Sequence, residues 1–152
     1  MKYKFFWNGP FSNWHPAHFI YKGHNFANSE QAFMWEKAMF FGDDITAKYM
    51  LQTTNPGEVK RLGRQVSGYD DAAWSKVRYK FMLDVCIEKF SQNPNLKTEL
   101  LNNFNFVEAS PYDKIWGIGM MESDQGIEDP NNWKGLNLLG EVLNEVHKIL
   151  KN

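Results

Sequence analysis

From residue 29 the chain turns apolar on nearly every side. Ala32, Phe33, Met34, Trp35, Ala38, Met39 and Phe40 cover all faces of any helix drawn through them, a pattern that predicts a buried helix rather than one docked along a single stripe. Asn28 and Ser29 are good N-cap residues, Asn28 with Gln31 forms a capping box, and Gly42 is a natural stop, so the helix is bounded at roughly Ser29 to Phe41. Glu30 and Lys37 break the apolar pattern. Seven residues apart, they share a face to within about 20°. Their Cα atoms lie about 10 Å apart along the axis, with Lys37 leaning back toward Glu30. Charges on a buried helix are costly unless they are paired or used. Two readings stay open: a structural ion pair with Lys37 snorkelling to solvent, or an acid/base carboxyl beside an amine nucleophile. Helical geometry does not separate them.

Elsewhere the pattern is more ordinary. Residues 3–7 predict a short strand closed by Asn8-Gly9-Pro10, and His18–Tyr21 with Asn25–Ala27 predict a hairpin turning at Lys22-Gly23-His24. Asp43 or Asp44 caps a short helix to about Gln52, and Asn55-Pro56 opens another to about Leu62. The longest helix runs from about Ala72 to Ser91, with Trp74, Val77, Phe81, Leu83, Val85, Ile87 and Phe90 as its buried stripe. Asn93-Pro94 starts a helix through Leu101, Phe104–Glu108 alternates like a short strand, and Leu139, Val142, Leu143, Val146 and Leu150 mark a last helix from about Leu136 to Leu150. The fold class is mainly α, an orthogonal helical bundle with a minor short-strand β part near the N-terminus. One domain, residues 1–152, accounts for the length.

Composition narrows the function classes. A formal net charge of −1 gives no electrostatic footprint of a general nucleic-acid binder. Cys86 is the single cysteine, which excludes an internal disulfide and suits a reducing compartment. No signal peptide and no span-length apolar run are expected, so the chain is read as soluble and cytoplasmic, with no membrane partner. Aromatics reach 16%, with six Trp and twelve Phe, enough to line a pocket as well as fill a core.

Candidate chemistry is confined to a few places. Glu108 and Asp113 form a second acidic pair, followed by Trp116-Gly117-Ile118-Gly119, an indole and two glycines that let backbone N–H groups approach a ligand. Lys60, Arg61 and Arg64 are read either as a solvated helix end or as a phosphate clamp. The histidines have no zinc-like spacing, so no metal is expected, and no P-loop or Cys/His nucleophile signature appears. What remains suits cleavage of a glycosidic bond by carboxylates, or amine catalysis by a desolvated lysine that forms an imine.

A set of motifs then points further: Phe11-Ser12-Asn13-Trp14-His15-Pro16; Ser29-Glu30-Gln31-Ala32 with Lys37-Ala38; Gly63-Arg64; Trp74 with Arg78; Lys89-Phe90-Ser91-Gln92-Asn93-Pro94; Val107-Glu108-Ala109-Ser110-Pro111 with Asp113 and Trp116-Gly117-Ile118-Gly119; and Gly135-Leu136-Asn137-Leu138-Leu139-Gly140. In this order they resemble the NADAR superfamily of YbiA-like N-glycosidases over essentially the whole chain. The resemblance implies hydrolysis of the bond between a ribose C1′ and an amine nitrogen, without a cofactor. Implied substrates are ADP-ribose on guanine, including ADP-ribosylated DNA, or phosphoribosylamino-pyrimidine intermediates of riboflavin biosynthesis. A non-catalytic ADP-ribose-binding module is the alternative. Lys37 matches the family lysine that forms a Schiff base, and Glu30, Glu108 and Asp113 match its acidic positions. Trp116, Gly117, Gly119, Asn137 and the Ser12-Asn13 loop match its pocket motifs; Trp14, Trp74 and Ile118, with Arg61, Arg64 or Arg78 to hold phosphate, complete the expected substrate contacts. Two departures stand out: Asn102–Phe106 lacks the usual Thr-Gly before Val-Glu, and His147 stands where arginine is common.

Overall fold

In chain order the elements are β1 (Lys4–Phe6), β2 (Phe19–Tyr21), β3 (His24–Phe26), α1 (Ser29–Phe40), α2 (Asp44–Leu51), α3 (Pro56–Gly63), α4 (Asp71–Ser91), α5 (Pro94–Leu101), β4 (Phe106–Glu108) and α6 (Leu138–Leu150), with a 3-10 turn at Pro130–Asn132. This computed structural model describes residues 1–151. The fold is mainly α with a minor β part, as the periodicity predicts. Among the described residues, no helix is long and apolar enough to cross a membrane. The chain divides into two compact units, residues 13–93 and residues 1–12 with 94–152.

The unit spanning residues 13–93 holds the hairpin and α1 to α4. Its hairpin turns on Lys22 (φ 49°) and Gly23 (φ 82°), a two-residue loop with both central residues left-handed, which matches the twist of paired strands. His24 therefore belongs to β3 rather than to the turn. The core joins Phe19, Tyr21 and Phe26 of the hairpin to Ala32, Trp35 and Ala38 of α1, Ala47 and Met50 of α2, and Val85 of α4. Asn28 caps α1 by accepting the Gln31 N–H at 2.8 Å. Gln31 reaches back to the Ala27 N–H, also at 2.8 Å, one residue before the partner of a standard capping box. Met39 and Phe40 depart from the expected all-round burial: at the end of α1 they are 44% and 40% exposed.

Helix α4 buries Trp74, Leu83, Val85 and Phe90 as its stripe predicts, but also Met82, Cys86 and Lys89; Val77, Phe81 and Ile87 are half-buried. Its C-terminal end grips the hairpin. The Gln92 side chain accepts the Ile20 N–H and donates to the Ile20 carbonyl, both at 2.8 Å. Asn93 donates to the carbonyls of His18 and Lys89.

In the other unit, β1 lies parallel to β4, with Lys4, Phe5 and Phe6 opposite Phe106, Val107 and Glu108. Val107, Ala109, Ile118, Met120 and Ile127 form a small core, with Tyr3, Phe5 and Trp133 packed on it. The predicted strand start at Phe104 is not realised. Phe104 is 62% exposed, and Asn105 takes a left-handed turn (φ 54°) that fixes where β4 begins. Helix α6 starts at Leu138, two residues later than expected, because Asn137 is itself left-handed (φ 53°) and gives its side chain to β4.

Candidate active site

Lys37 emerges near the end of α1 and is half-buried. Its ammonium donates to the Gly63 carbonyl at 2.9 Å and lies over the Tyr69 ring, 4.5 Å from its centroid. Gly63 closes α3, so its carbonyl is among those a helix leaves without an internal partner, at the negative end of the dipole. A Cβ there would fall 2.3 Å from the Met34 sulfur and would push that side chain aside. The close approach of α1 and α3 is what brings amine and carbonyl together. Burial pulls the Lys37 pKa down, and the charges of Glu30 and Asp71 offset that only in part. The amine is thus more often neutral than an ordinary lysine, the state in which it is a nucleophile.

Glu30 sits in the first turn of α1, partly buried, where its negative charge suits the helix N-terminus. The loop before the helix holds that turn in place. The Asn13 carbonyl accepts the Glu30 N–H at 3.0 Å, and its side-chain oxygen accepts the Ser29 hydroxyl at 2.8 Å. Asn13 therefore shapes the end of the helix that carries the carboxylate. Trp14 is 49% exposed, and its ring would lie 3.6 Å from a Cβ on Gly57 at the start of α3.

The next carboxylate on α1 was missed by sequence reasoning. Glu36 is buried and accepts the Tyr21 hydroxyl at 2.6 Å and the Lys22 ammonium at 2.7 Å, tying the hairpin to the helix. Burial and that bond push the Tyr21 hydroxyl far up. Its neighbour Lys37 points to α3 instead, so one helix separates a structural acid from a perturbed amine. Tyr69 and Asp71 were also missed; only the fold brings them to Lys37. Lys89 lay within a quoted motif but was given no role. It is fully buried, its Nζ is 5.0 Å from the Phe90 ring centroid, and burial lowers its pKa to about 8.

The predicted phosphate contacts divide. Arg61 forms a two-point ion pair with Glu58 on the exposed face of α3, so an anion there competes with a carboxylate. Arg64 is exposed one residue past the helix, and Arg78 on α4 is half-buried with its Nε lacking a hydrogen-bond partner. Trp74 is a core residue. It is 5% exposed and stacks on Phe81 at 5.7 Å, with Phe33 at 5.4 Å and Phe41 at 6.1 Å around it.

The acidic loop of the other unit is built by backbone contact. The N–H groups of Ile118, Asn137 and Leu139 bond to the carbonyls of Glu108, Gly117 and Trp116. A Cβ on Gly117 would lie 2.9 Å from the Asp113 carbonyl, and one on Gly135 would lie 2.3 Å from the Gly117 carbonyl. Gly119 is left-handed (φ 69°), and Ile118 between the two glycines is fully buried. Asn137 is buried and accepts the Glu108 N–H at 2.9 Å while donating to the Phe106 carbonyl at 3.0 Å. The Asp113 carboxylate accepts the N–H groups of Ile115 and Trp116 at 2.9 and 2.8 Å, which makes it a builder of its own turn. The Glu108 and Trp116 side chains are half-buried. Ser12 closes the turn after β1, its N–H on the Gly9 carbonyl at 3.0 Å.

What the geometry defines is a helical protein that holds a lysine amine of lowered pKa on the same helix as a partly buried carboxylate. The NADAR domain model matches residues 5–151, and the chain belongs to that family. The protein irg-1 of Caenorhabditis elegans is 45% identical over 129 residues, covering 82% of this chain; the chain spans 61% of the length of that relative. An N-glycosidase of Acanthamoeba polyphaga mimivirus is 39% identical over 146 residues, 91% of this chain and 85% of the viral protein. Among solved structures, that of the Escherichia coli protein YbiA superposes with a TM-score of 0.78 at 27% identity, covering 97% of this chain and 83% of YbiA.

Proposed function

We propose that this protein is an N-glycosidase that releases ADP-ribose from ADP-ribosylated guanine through an imine on Lys37. The observation that carries this reading is the Lys37 amine itself: half-buried, lowered in pKa, fixed by the Gly63 carbonyl and placed over the Tyr69 ring. The name of the viral relative, which aligns along most of both chains, supports the reaction class.

In the proposed sequence the neutral amine adds to C1′ of the ribose as the C1′–O4′ bond breaks, the proton shed by the amine passing to O4′, which closes the ring again once the aldehyde is released. The C1′–N bond to the base then breaks, and the leaving nitrogen takes a proton from Glu30. The carbon left behind is an imine on Lys37, whose positive charge in the protonated form faces the electron-rich Tyr69 ring. Water adds to the imine carbon, the bond to Lys37 breaks, and the amine and the Glu30 proton are restored. The net change is one water consumed, with free ADP-ribose and free base produced.

Borohydride reduction of a reacting mixture should fix one ADP-ribose per chain in wild-type protein and none in Lys37→Ala, read by intact mass. Glu30→Ala should lose turnover while keeping its circular dichroism spectrum. Full turnover by Lys37→Ala would reject the mechanism. Because the reaction needs a neutral amine and a protonated Glu30, the rate should follow a bell-shaped pH profile, with its alkaline limb below the ordinary lysine value of 10.5. Running ADP-ribosylated guanine DNA against ribosylamino-pyrimidine phosphates decides the substrate.

A further inference from the structure

The Tyr69 ring lies 4.5 Å from the Lys37 Nζ, yet Tyr69 is 43% exposed and stands outside the core. A ring so open to water is ordinarily free to turn. This one is held on several sides. Its hydroxyl donates to the Asp71 carboxylate at 2.7 Å, a bond of the stronger, charge-assisted kind. The Phe41 ring packs edge-to-face with it at 5.3 Å. Its backbone follows the left-handed Gly68 (φ 75°), and the Ser67 N–H donates to the Asp43 carboxylate at 2.9 Å, which ties that turn to the cap of α2. Asp71 lies in the first turn of α4, where a helix N-terminus favours negative charge. Burial, and then the bond to Asp71, push the Tyr69 hydroxyl above its ordinary value of 10.0, so the phenol keeps its proton and remains the donor.

We propose that Tyr69 and Asp71 are a positioning pair for the Lys37 amine: the carboxylate holds the phenol, and the ring so held keeps the amine against the Gly63 carbonyl. Their role rests on Lys37 being the nucleophile, as proposed above. A lysine stem is long and flexible, and left alone it spreads the amine over many positions. The Gly63 carbonyl fixes the nitrogen through one hydrogen bond. The ring face adds a second constraint, and it favours each cationic state of the cycle, ammonium and protonated imine alike. The bonded partner of Asp71 is the phenol rather than the ammonium, so its hold on the amine passes through Tyr69. A merely space-filling tyrosine has no use for that hydroxyl bond.

The experiment is an NMR spectrum of the substrate-free full chain carrying lysine labelled with carbon-13 at Cε. The Lys37 Hε signal, assigned by its loss in Lys37→Arg, should lie upfield of solvated lysines because it sits over a ring. Tyr69→Leu should return it to the solvated position, and Asp71→Ala should move it the same way. Asp71→Asn, whose amide oxygen still accepts the phenol, should keep it upfield, a rescue that loss of charge alone does not give. With ADP-ribosylated guanine as substrate, Tyr69→Leu should lower kcat about tenfold and leave KM within about twofold. Tyr69 and Asp71 are exposed, so the variants should fold. A signal that stays upfield in Tyr69→Leu or in Asp71→Ala overturns the pairing. So does an unchanged kcat in Tyr69→Leu while Lys37→Ala is inactive. Full turnover by Lys37→Ala rejects the mechanism instead, and the spectrum, which needs no turnover, still reports whether Asp71 holds the ring over the amine.

Discussion

The two units hold their distinctive residues by opposite means. In residues 13–93 the positioning is done by side chains: an amine on a helix-end carbonyl, a carboxylate under a tyrosine hydroxyl, an asparagine capping the turn that carries Glu30. In the loop after β4 it is done by backbone, with glycines packed so closely that a single Cβ would collide with a carbonyl oxygen. The first arrangement leaves charged groups with perturbed energetics, as reaction chemistry requires. The second fixes the course of an acidic loop through its backbone bonds and its closely packed glycines. Substitutions should therefore fail differently in the two places, in activity on one side and in folding on the other.

The largest effect belongs to Lys37. Lys37→Ala should lower turnover by at least about 10³-fold, equivalent to about 4 kcal/mol of barrier. Removing a half-buried cation held by a single hydrogen bond should move the unfolding midpoint little. A loss of folding that paralleled the loss of activity would erase the contrast.

Gly140→Ala is the mirror image. Its Cβ would sit 2.1 Å from the Phe106 carbonyl and 2.4 Å from the Asn137 amide, atoms that belong to the junction of β4 and α6. Relief requires moving backbone, so the cost should reach about 3 kcal/mol, read by denaturant unfolding. Near-native stability in this variant would show that the loop yields.

How much of this could be read in advance follows the same division. The caps of α1, α2 and α3 fall on residues expected, because capping is a local preference written in the few residues that make it. The parallel pairing of β1 with β4 was not legible: each strand has three residues, and about a hundred residues separate them. Glu30 and Lys37 were found because charges interrupt an apolar helix. Their neighbours Tyr69, Asp71 and Gly63 were not, since only tertiary folding brings them near. Glu36 carried the same signal as Glu30 and was passed over, and nothing local distinguishes a buried lysine such as Lys89 from a solvated one.

Lys89 gives a prediction of intermediate size. Its pKa in the folded protein is about 8, against 10.5 unperturbed, so between those values the unfolded chain binds more protons and stability rises with pH. Cys86 acts the other way: burial pushes its thiol up to about 11, so stability is lost once the unfolded thiol ionises above about 9. From pH 7 to pH 9 the lysine dominates, and unfolding free energy should climb by about 1 kcal/mol. In Lys89→Met the climb should vanish. A rise that persists there would assign it to another group.

The smallest effect tests which side of the comparison Asp113 belongs to. Its carboxylate oxygen caps the N–H groups of Ile115 and Trp116, a duty an amide oxygen can perform. Asp113→Asn should therefore keep both turnover and stability, while Asp113→Ala should cost about 1 kcal/mol of folding through two lost acceptor contacts. If instead the residue exchanges a proton during reaction, the asparagine variant should fold normally and be nearly inactive, because an amide cannot ionise. Measuring kcat and the urea midpoint on the same two proteins separates the outcomes. Inactivity with intact folding would move Asp113 from the backbone-built loop to the chemistry.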